Sequence, residues 1–350
     1  MSYQSLASKF AIGVVPQTDL HTANAAADLE MLTRTNINFT KFEPVLESDA
    51  AEIGKGHEFA TALYKSHYNV SGTIEKLVSS ELAAWMFLFG FGTSNASKTA
   101  AGTGFKYTVS PGDVCDGLDM PAFTVVEALG KECTPPSPVD RAAIGCVLNS
   151  FGLSFQSGPG RQNTRLTAEF VGCGKVASPS NIALPASPLV EHTMSGMSAT
   201  VTINGVDYVL NKSLVSVDTS FQNNIDLDGG FFVGSGFDDG WALRGRMERS
   251  NRSYGLNFVA RVESNSTEEA KLKSLTTGPA VITLTGDSID GTHNHTVKLS
   301  YVKVGFKAVE VGDSNGKVVY AVACEPIWDA TNGILTVEVT TGNSKIGGLA

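Results

Sequence analysis

The chain has 350 residues, of which 42% are apolar and 17% charged, with a formal net charge of -9. At about 150 residues per domain this leaves room for about two domains that each bury a core, and it excludes a disordered chain. The acidic balance opposes adhesion to nucleic acid through a basic surface.

The opening MSYQSLASKFAIGVV lacks the basic start, long apolar core and cleavage site of a signal peptide. FTKFEPVLESD is followed by a loop of the form G-x-G, Gly54-Lys55-Gly56, and later in the chain VTINGVDYVL and VKLSYVKVGFKAV repeat apolar residues at every second position, as strands with one buried face do. This loop lacks the G-x-x-x-x-G-K-S/T spacing that converges backbone N–H groups and a lysine on phosphate, and it leads into strand, so a nucleotide site is not expected. The strand NVSGTIEKLV leads to SSELAAWMFLFG, where Ser79 or Ser80 suits a helix N-cap, Glu81 the first turn and Gly90 the end. The run LAAWMFLFGFG is far short of the ~20 residues of a membrane span and reads as a helix packed on sheet, not as a sugar-binding platform. FTVVEALG and then a hairpin, CVLNSFGLSFQSGPGRQNTRLTAEFVG, complete the first half.

A Ser/Pro/Ala-rich stretch, Ala177 to Glu191, reads as a linker. Beyond it the same order returns. LVSVDTSFQNNID is followed by a G-x-G loop, Gly234-Ser235-Gly236. YGLNFVARVE leads to a short helix in which Ser266 and Glu269 have capping-box spacing and Gly278 suits the end. AVITLTG and a hairpin with a Gly-rich turn, TVKLSYVKVGFKAVEVGDSNGKVVYAVA, close the pattern. We read a duplicated unit of antiparallel strands with one helix: a first β domain over 1–178, a linker over 179–193 and a second β domain over 194–350.

Several polar clusters fit turns or salt bridges better than chemistry. His293 and His295 would share one face of a strand, but no third metal ligand is indicated. Asp226 and Asp228, and Asp313 and Asn315, lack the glutamate that completes a calcium loop and suit tight turns. Arg244, Arg246, Arg249 and Arg252 include an R-x-R that would aim two guanidinium groups from one strand face. In an acidic chain this suits a patch for an acidic neighbouring surface. The five cysteines, Cys115, Cys133, Cys146, Cys173 and Cys324, are widely spaced and form no C-x-x-C pair, so they read as reduced thiols. No nucleophile elbow, H-E-x-x-H or cysteine signature is present, and no catalytic residue, cofactor or metal site is expected.

The segment FAIGVVPQTDLHTANAAADLEMLTRTNINFTKFEPVLESDAAEIGKGHEFATALYKSHYNVSGTIE resembles the N-terminal region of the major tail tube proteins of long-tailed, siphovirus-like bacteriophages. The later order GCVLNSFGLSFQSG, RLTAEFVGCGK, INGVDYVLNKSLVSVDTSFQNNI and KLSYVKVGFKAVEVGDSNGKVVYAVACEPIWDATNGILTVEV carries the same resemblance over nearly the whole chain. It implies a mainly β protein built from β-sandwich or barrel tube domains with a flanking helix. It further implies a structural virion protein, made in the host bacterial cytoplasm, that assembles into stacked rings around a tape measure protein. Tail terminator and distal tail proteins would be its other partners, and double-stranded DNA would pass through the bore without specific binding or any membrane contact by the subunit. A duplicated chain would make a sixfold ring from three subunits, a pseudo-hexamer, where a single-domain chain would need six. The alternative class is a carbohydrate-binding or carbohydrate-active β-sandwich.

On this reading about residues 50–68 form an interface arm with Lys55, His57 and Glu58 at its charged tip, and Arg244, Arg246 and Arg249 are further interface candidates. Deleting Lys55 to Glu58 is expected to leave a folded monomer that no longer polymerises, as judged by circular dichroism together with electron microscopy; normal tubes from the deletion would count against the arm.

Overall fold

A computed structural model describes residues 9–33, 36–48, 62–113, 117–128, 141–158, 164–177, 184–185, 187–264 and 266–349, without the side chains of 36–39. Within them apolar residues recur at every second position of the long segments, which dictates strands with one buried face. Residues Thr164 to Phe170 alternate buried and exposed without a break.

The first half contains β1 (Lys9–Gly13), β2 (Leu29–Leu32), β3 (Asn36–Ser48), β4 (Leu63–Lys76), α1 (Ser80–Phe91), β5 (Ala96–Ala101), β6 (Gly104–Val109), β7 (Phe123–Ala128), β8 (Arg141–Gln156) and β9 (Thr164–Ala177). The second contains β10 (Ala199–Ile203), β11 (Val206–Asp207), β12 (Leu214–Gln222), β13 (Phe237–Asp238), β14 (Trp241–Ala242), β15 (Ser253–Arg261), α2 (Glu268–Lys273), β16 (Thr277–Ser288), β17 (Asn294–Ser314), β18 (Lys317–Pro326) and β19 (Leu335–Thr341). The protein is mainly β, of β-sandwich type, and the sheet does not close on itself.

Pairing runs in the same order in the two halves. In the first it is β1-β7-β8-β9-β4-β3, in the second β10-β16-β17-β18-β15-β12, antiparallel throughout. The irregularities coincide as well. A register shift between Leu148 and Ser150 in β8 has its counterpart between Phe306 and Ala308 in β17, and one between Phe123 and Val125 in β7 has its counterpart between Gly278 and Ala280 in β16. β-Bulges displace every later residue by one, so matching bulges give a residue-by-residue correspondence.

The halves are joined through hydrogen bonds. β12 pairs along β8 from Ser216↔Gln156 to Gln222↔Ser150. This makes one continuous antiparallel series of eight strands, β3-β4-β9-β8-β12-β15-β18-β17.

Helix α1 sits under this series and is buried on every side, as a helix that is apolar all round must be. Ser79 caps it by accepting from the Leu82 N–H, and Glu81 lies in its first turn. The helix ends at Gly92, whose φ of 93° only glycine adopts readily, two residues beyond the expected Gly90. Gly90 lies within the helix because a Cβ there would fall 2.3 Å from the Phe151 ring. Trp85 donates from Nε1 to the Gly13 carbonyl at 2.9 Å, which ties α1 to the end of β1. Phe87 packs against Phe151 of β8 and Phe221 of β12, on both sides of the junction between the halves.

Helix α2 departs from expectation. Thr267 rather than Ser266 is its N-cap, with no side-chain capping bond, and the Ser266 hydroxyl instead accepts from the Glu263 N–H. It stops at Ser274, and Leu275 takes φ 51°, so Gly278 is already in β16 facing Val304. Sheet pairing wins that residue because the helix has few buried contacts to extend it.

Two of the Asp/Gly clusters are turns. Asp313 accepts from the Gly316 N–H at 3.2 Å across the β17–β18 turn, and Asp226 from the Gly229 N–H at 2.9 Å. No helix among the described residues is long and apolar enough to cross a membrane. Phe87→Ala is expected to destabilise the monomer by ~3–5 kcal/mol, seen as a lower urea midpoint at unchanged slope.

Candidate assembly interface

A strand edge exposes a row of N–H and C=O groups that readily pair with another chain. Two such edges end the eight-strand series. Among the described residues β3 pairs only with β4, and Ala308–Ser314 of β17 pairs only with β18. In the first half the segment corresponding to Ala308–Ser314 is Ser150–Gln156, and its edge is the one β12 occupies.

Exposed apolar side chains gather elsewhere. Phe232, Val233 and Phe237 lie on the connection between β12 and β15, with Val233 fully exposed. This connection is fastened to β4, where Leu63 and Tyr64 are also exposed: Lys65 bonds Asp239 at 3.1 Å and lies over the Trp241 ring.

Lys55, His57 and Glu58 lie outside the described residues. The arginines do not form one face. Residues 243–247 are irregular backbone, so the two guanidinium groups of the R-x-R diverge. Arg244 is buried; it donates to the carbonyls of Leu227 and Tyr68 and to Asn69 Oδ1, and its guanidinium lies over Phe231. Arg249 is buried too and donates to the carbonyls of Asp113 and Gly112. Arg246 alone of the three is exposed, beside Glu248 at 3.3 Å and Phe232.

Arg252, which sequence reasoning left as one of a patch, ends helix α1. It donates to the Phe91 carbonyl at 2.9 Å and to the Gly112 carbonyl and Asn223 Oδ1. A cation there satisfies carbonyls that the helix leaves unbonded and faces the negative end of its dipole. Burial, and then the Arg249 charge, push its pKa down to about 10. Arg252 lies 161 residues from Phe91, so no local pattern signals the contact.

His293 and His295 part company as well. His293 belongs to the turn before β17 and leans on Asp290, whereas His295 is buried inside the strand. The partners of His295 come from far away in the chain. Its ring stacks on His192 with centroids 3.9 Å apart, and its Nδ1 lies 2.8 Å from Ser80 Oγ and 3.7 Å from Glu81 Oε1. His192 approaches the same carboxylate, with Nδ1 2.9 Å from Oε1 and its backbone N–H donating to Oε2 at 3.0 Å. Burial opposes the Glu81 charge, but the His192 bonds and the Thr341 hydroxyl outweigh it and hold the carboxyl below its usual pKa. Burial, and then the His192 charge, lower the pKa of His295.

The model of the phage tail tube protein family matches residues 8–326. The chain belongs to that family. No curated protein gave a match.

A tail tube protein is a structural component of the bacteriophage virion, which accords with a molecule whose exposed features are strand edges and apolar loops. A hollow on this tail tube protein is lined by Ser150, Ser154, Thr167, Asp218 and Gln222, on the polar face of the β8–β12 junction.

The arginines separate two roles. Arg252→Leu is expected to destabilise the monomer by about 1.5–3 kcal/mol through lost charge-assisted bonds, and Arg246→Ala by less than about 0.5 kcal/mol. Chemical denaturation of unassembled protein measures both; equal losses would mean that Arg246 also fastens the fold.

Proposed function

We propose that this protein is a two-unit tail tube subunit, with units at 1–178 and 194–350 joined by 179–193. In this reading three copies close into a pseudo-hexameric ring, and stacked rings form the conduit for viral DNA. The observation that carries it is the junction within the chain. β8 of the first unit and β12 of the second are paired, and their counterparts, β17 and β3, end the series with no further strand partner among the described residues.

The same geometry repeated between copies pairs β17 of one subunit with β3 of the next. A head-to-tail contact of this kind closes into a ring when the rotation permits. Three series of eight would then give a barrel of twenty-four strands in which no edge remains.

The matched bulges supply the register. Phe170 corresponds to Cys324, hence Gly72 to Leu256, Lys41 to Ser220 and Glu43 to Gln222; in β8 and β17, Ser150 corresponds to Ala308 and Gly152 to Glu310. Within the chain Ser220 faces Gly152 and Gln222 faces Ser150. Between copies, therefore, Lys41 faces Glu310 and Glu43 faces Ala308. Opposite charges directly across an antiparallel pair contribute roughly 0.2–1 kcal/mol, and an uncharged pair within the chain becomes a complementary one between chains.

The face opposite α1 would line the bore. It carries Ser150, Ser154, Thr167, Glu169, Asp218 and Asn257, and Arg165 there is paired with Glu75 at 3.2 Å. Among the described residues cations on this face are scattered, Arg165 paired with Glu75 and Lys41 and Arg261 apart from each other, so no row is formed to hold phosphates and DNA would pass without being gripped. Tape measure, tail terminator and distal tail proteins remain the expected partners, and synthesis in the host cytoplasm agrees with buried Cys146, Cys173 and Cys324 as free thiols.

Glu43→Cys combined with Ala308→Cys tests register and stoichiometry together. Oxidised assemblies are expected to run as covalent species up to the trimer on non-reducing gels, with neither single variant doing so. End-on electron micrographs should show rings of threefold symmetry. Well-formed rings that never cross-link would overturn the register, and a ladder reaching six chains would overturn the trimer.

A further inference from the structure

We propose that Glu81, His192 and His295 form a binding site for a divalent cation of the zinc class. The three come from separate segments, the first turn of α1, the connection between the two halves and the start of β17. Their candidate donor atoms lie within 4.8 Å of one another.

Bonds of ~2.0–2.1 Å to nitrogen and carboxylate oxygen place tetrahedral zinc donors about 3.3 Å apart. The distances from Glu81 Oε1 to His192 Nδ1 and His295 Nδ1, 2.9 and 3.7 Å, bracket that value. One carboxylate with two imidazoles is a donor set suited to a borderline cation. Ser80 Oγ, 2.8 Å from His295 Nδ1, offers a further oxygen, and half-exposed His192 leaves a way in for the ion and for water.

The surrounding groups hold the donor side chains in place. Glu81 and His295 are each 2% exposed, and the Thr341 hydroxyl and the His192 backbone N–H fix the carboxylate. Such outer contacts orient ligands before a metal arrives. The positive end of α1 opposes a cation, and the Glu81 charge offsets it.

Two stacked imidazoles that share one carboxylate cannot both take its oxygen as a hydrogen-bond acceptor in good geometry, and here only His192 is within bonding distance. A cation held by Glu81 and His295 would engage both rings once half-exposed His192 turns out of the near-parallel stack, whose 15° interplanar angle keeps the two nitrogen lone pairs from meeting at one point. It would also fasten the connecting segment to both halves. Glu191, the residue before His192, already forms a buried ion pair with Lys76 of β4.

Untagged full-length protein, stripped with a chelator, would be titrated with Zn²⁺ by calorimetry and with Co²⁺ by visible absorption. One equivalent of zinc per chain and the intense visible bands of tetrahedral cobalt are the expected results. His192→Ala changes a half-exposed side chain, and Glu81→Gln keeps the shape; each is expected to weaken zinc by about a hundredfold or more, since even outer-shell partners are worth about 10- to 100-fold. Circular dichroism would establish that both variants fold. If Glu81→Gln does not fold, His192→Ala decides. No binding by the wild-type chain, or equal binding by a folded His192→Ala, would overturn the site.

Discussion

The hydrogen-bonding demand of strand edges governs this molecule. A backbone N–H or C=O that is neither hydrated nor paired is costly, and an antiparallel sheet can satisfy its outermost groups only with water, a cover or another strand. The chain resolves one such edge internally by placing β12 on Ser150–Gln156. It leaves the corresponding edge of β17 and the outer edge of β3 with no strand partner among the described residues. Covering them within the monomer would require a further strand at each end.

Helix α1 is what makes the internal junction rigid. It packs on β8, β17 and β19, and Phe87 and Phe91 touch Phe151 and Phe221 from opposite sides of the pairing. Its ends are fixed by polar groups from beyond the first half: Arg252 and Asn223 of the second at the C-terminus, and His192 of the connection with Thr341 of the second at Glu81 near the N-terminus. A buried helix needs such partners because its terminal groups cannot reach water. The two halves are therefore held both by strand pairing and by a core element belonging to only one of them. Helix α2, mostly exposed, has no comparable part, which explains its six residues against twelve for α1.

The parts legible in the sequence were those set by local rules. Period-two alternation marked β10 and β17, Ser79 and Glu81 marked the start of α1, and the Asp313–Gly316 turn was visible as turn chemistry. The recurring order of elements was legible too, and the matching bulges lend it a physical basis that residue identity does not. What stayed hidden depends on tertiary contacts. Arg244 and Arg246 have the spacing of a strand face but sit on irregular backbone, so one turns inward and the other out. His295 finds its partners 103 and 214 residues away at His192 and Glu81, and no local pattern encodes that. Gly90 suited a helix end by propensity, yet its use is to admit the Phe151 ring.

Small residues along the internal junction show how closely the two halves are packed, and the proposed ring contact would differ from it in a telling way. Gly152 meets Thr219 and Ser220 so closely that a Cβ would lie 2.1 Å from the Thr219 carbonyl oxygen. This junction forms once, during folding, and can be packed without regard to reversibility or to partner choice. Its counterpart in β17 bears Glu310, which in the proposed ring would stand opposite Lys41 of the next copy. An interface that must be found by diffusion gains from charge, because complementary groups speed encounter and penalise a slipped register in which like charges meet. In the proposed ring, the difference between glycine in one junction and glutamate in the other would be the difference between a contact made within a chain and one made between chains.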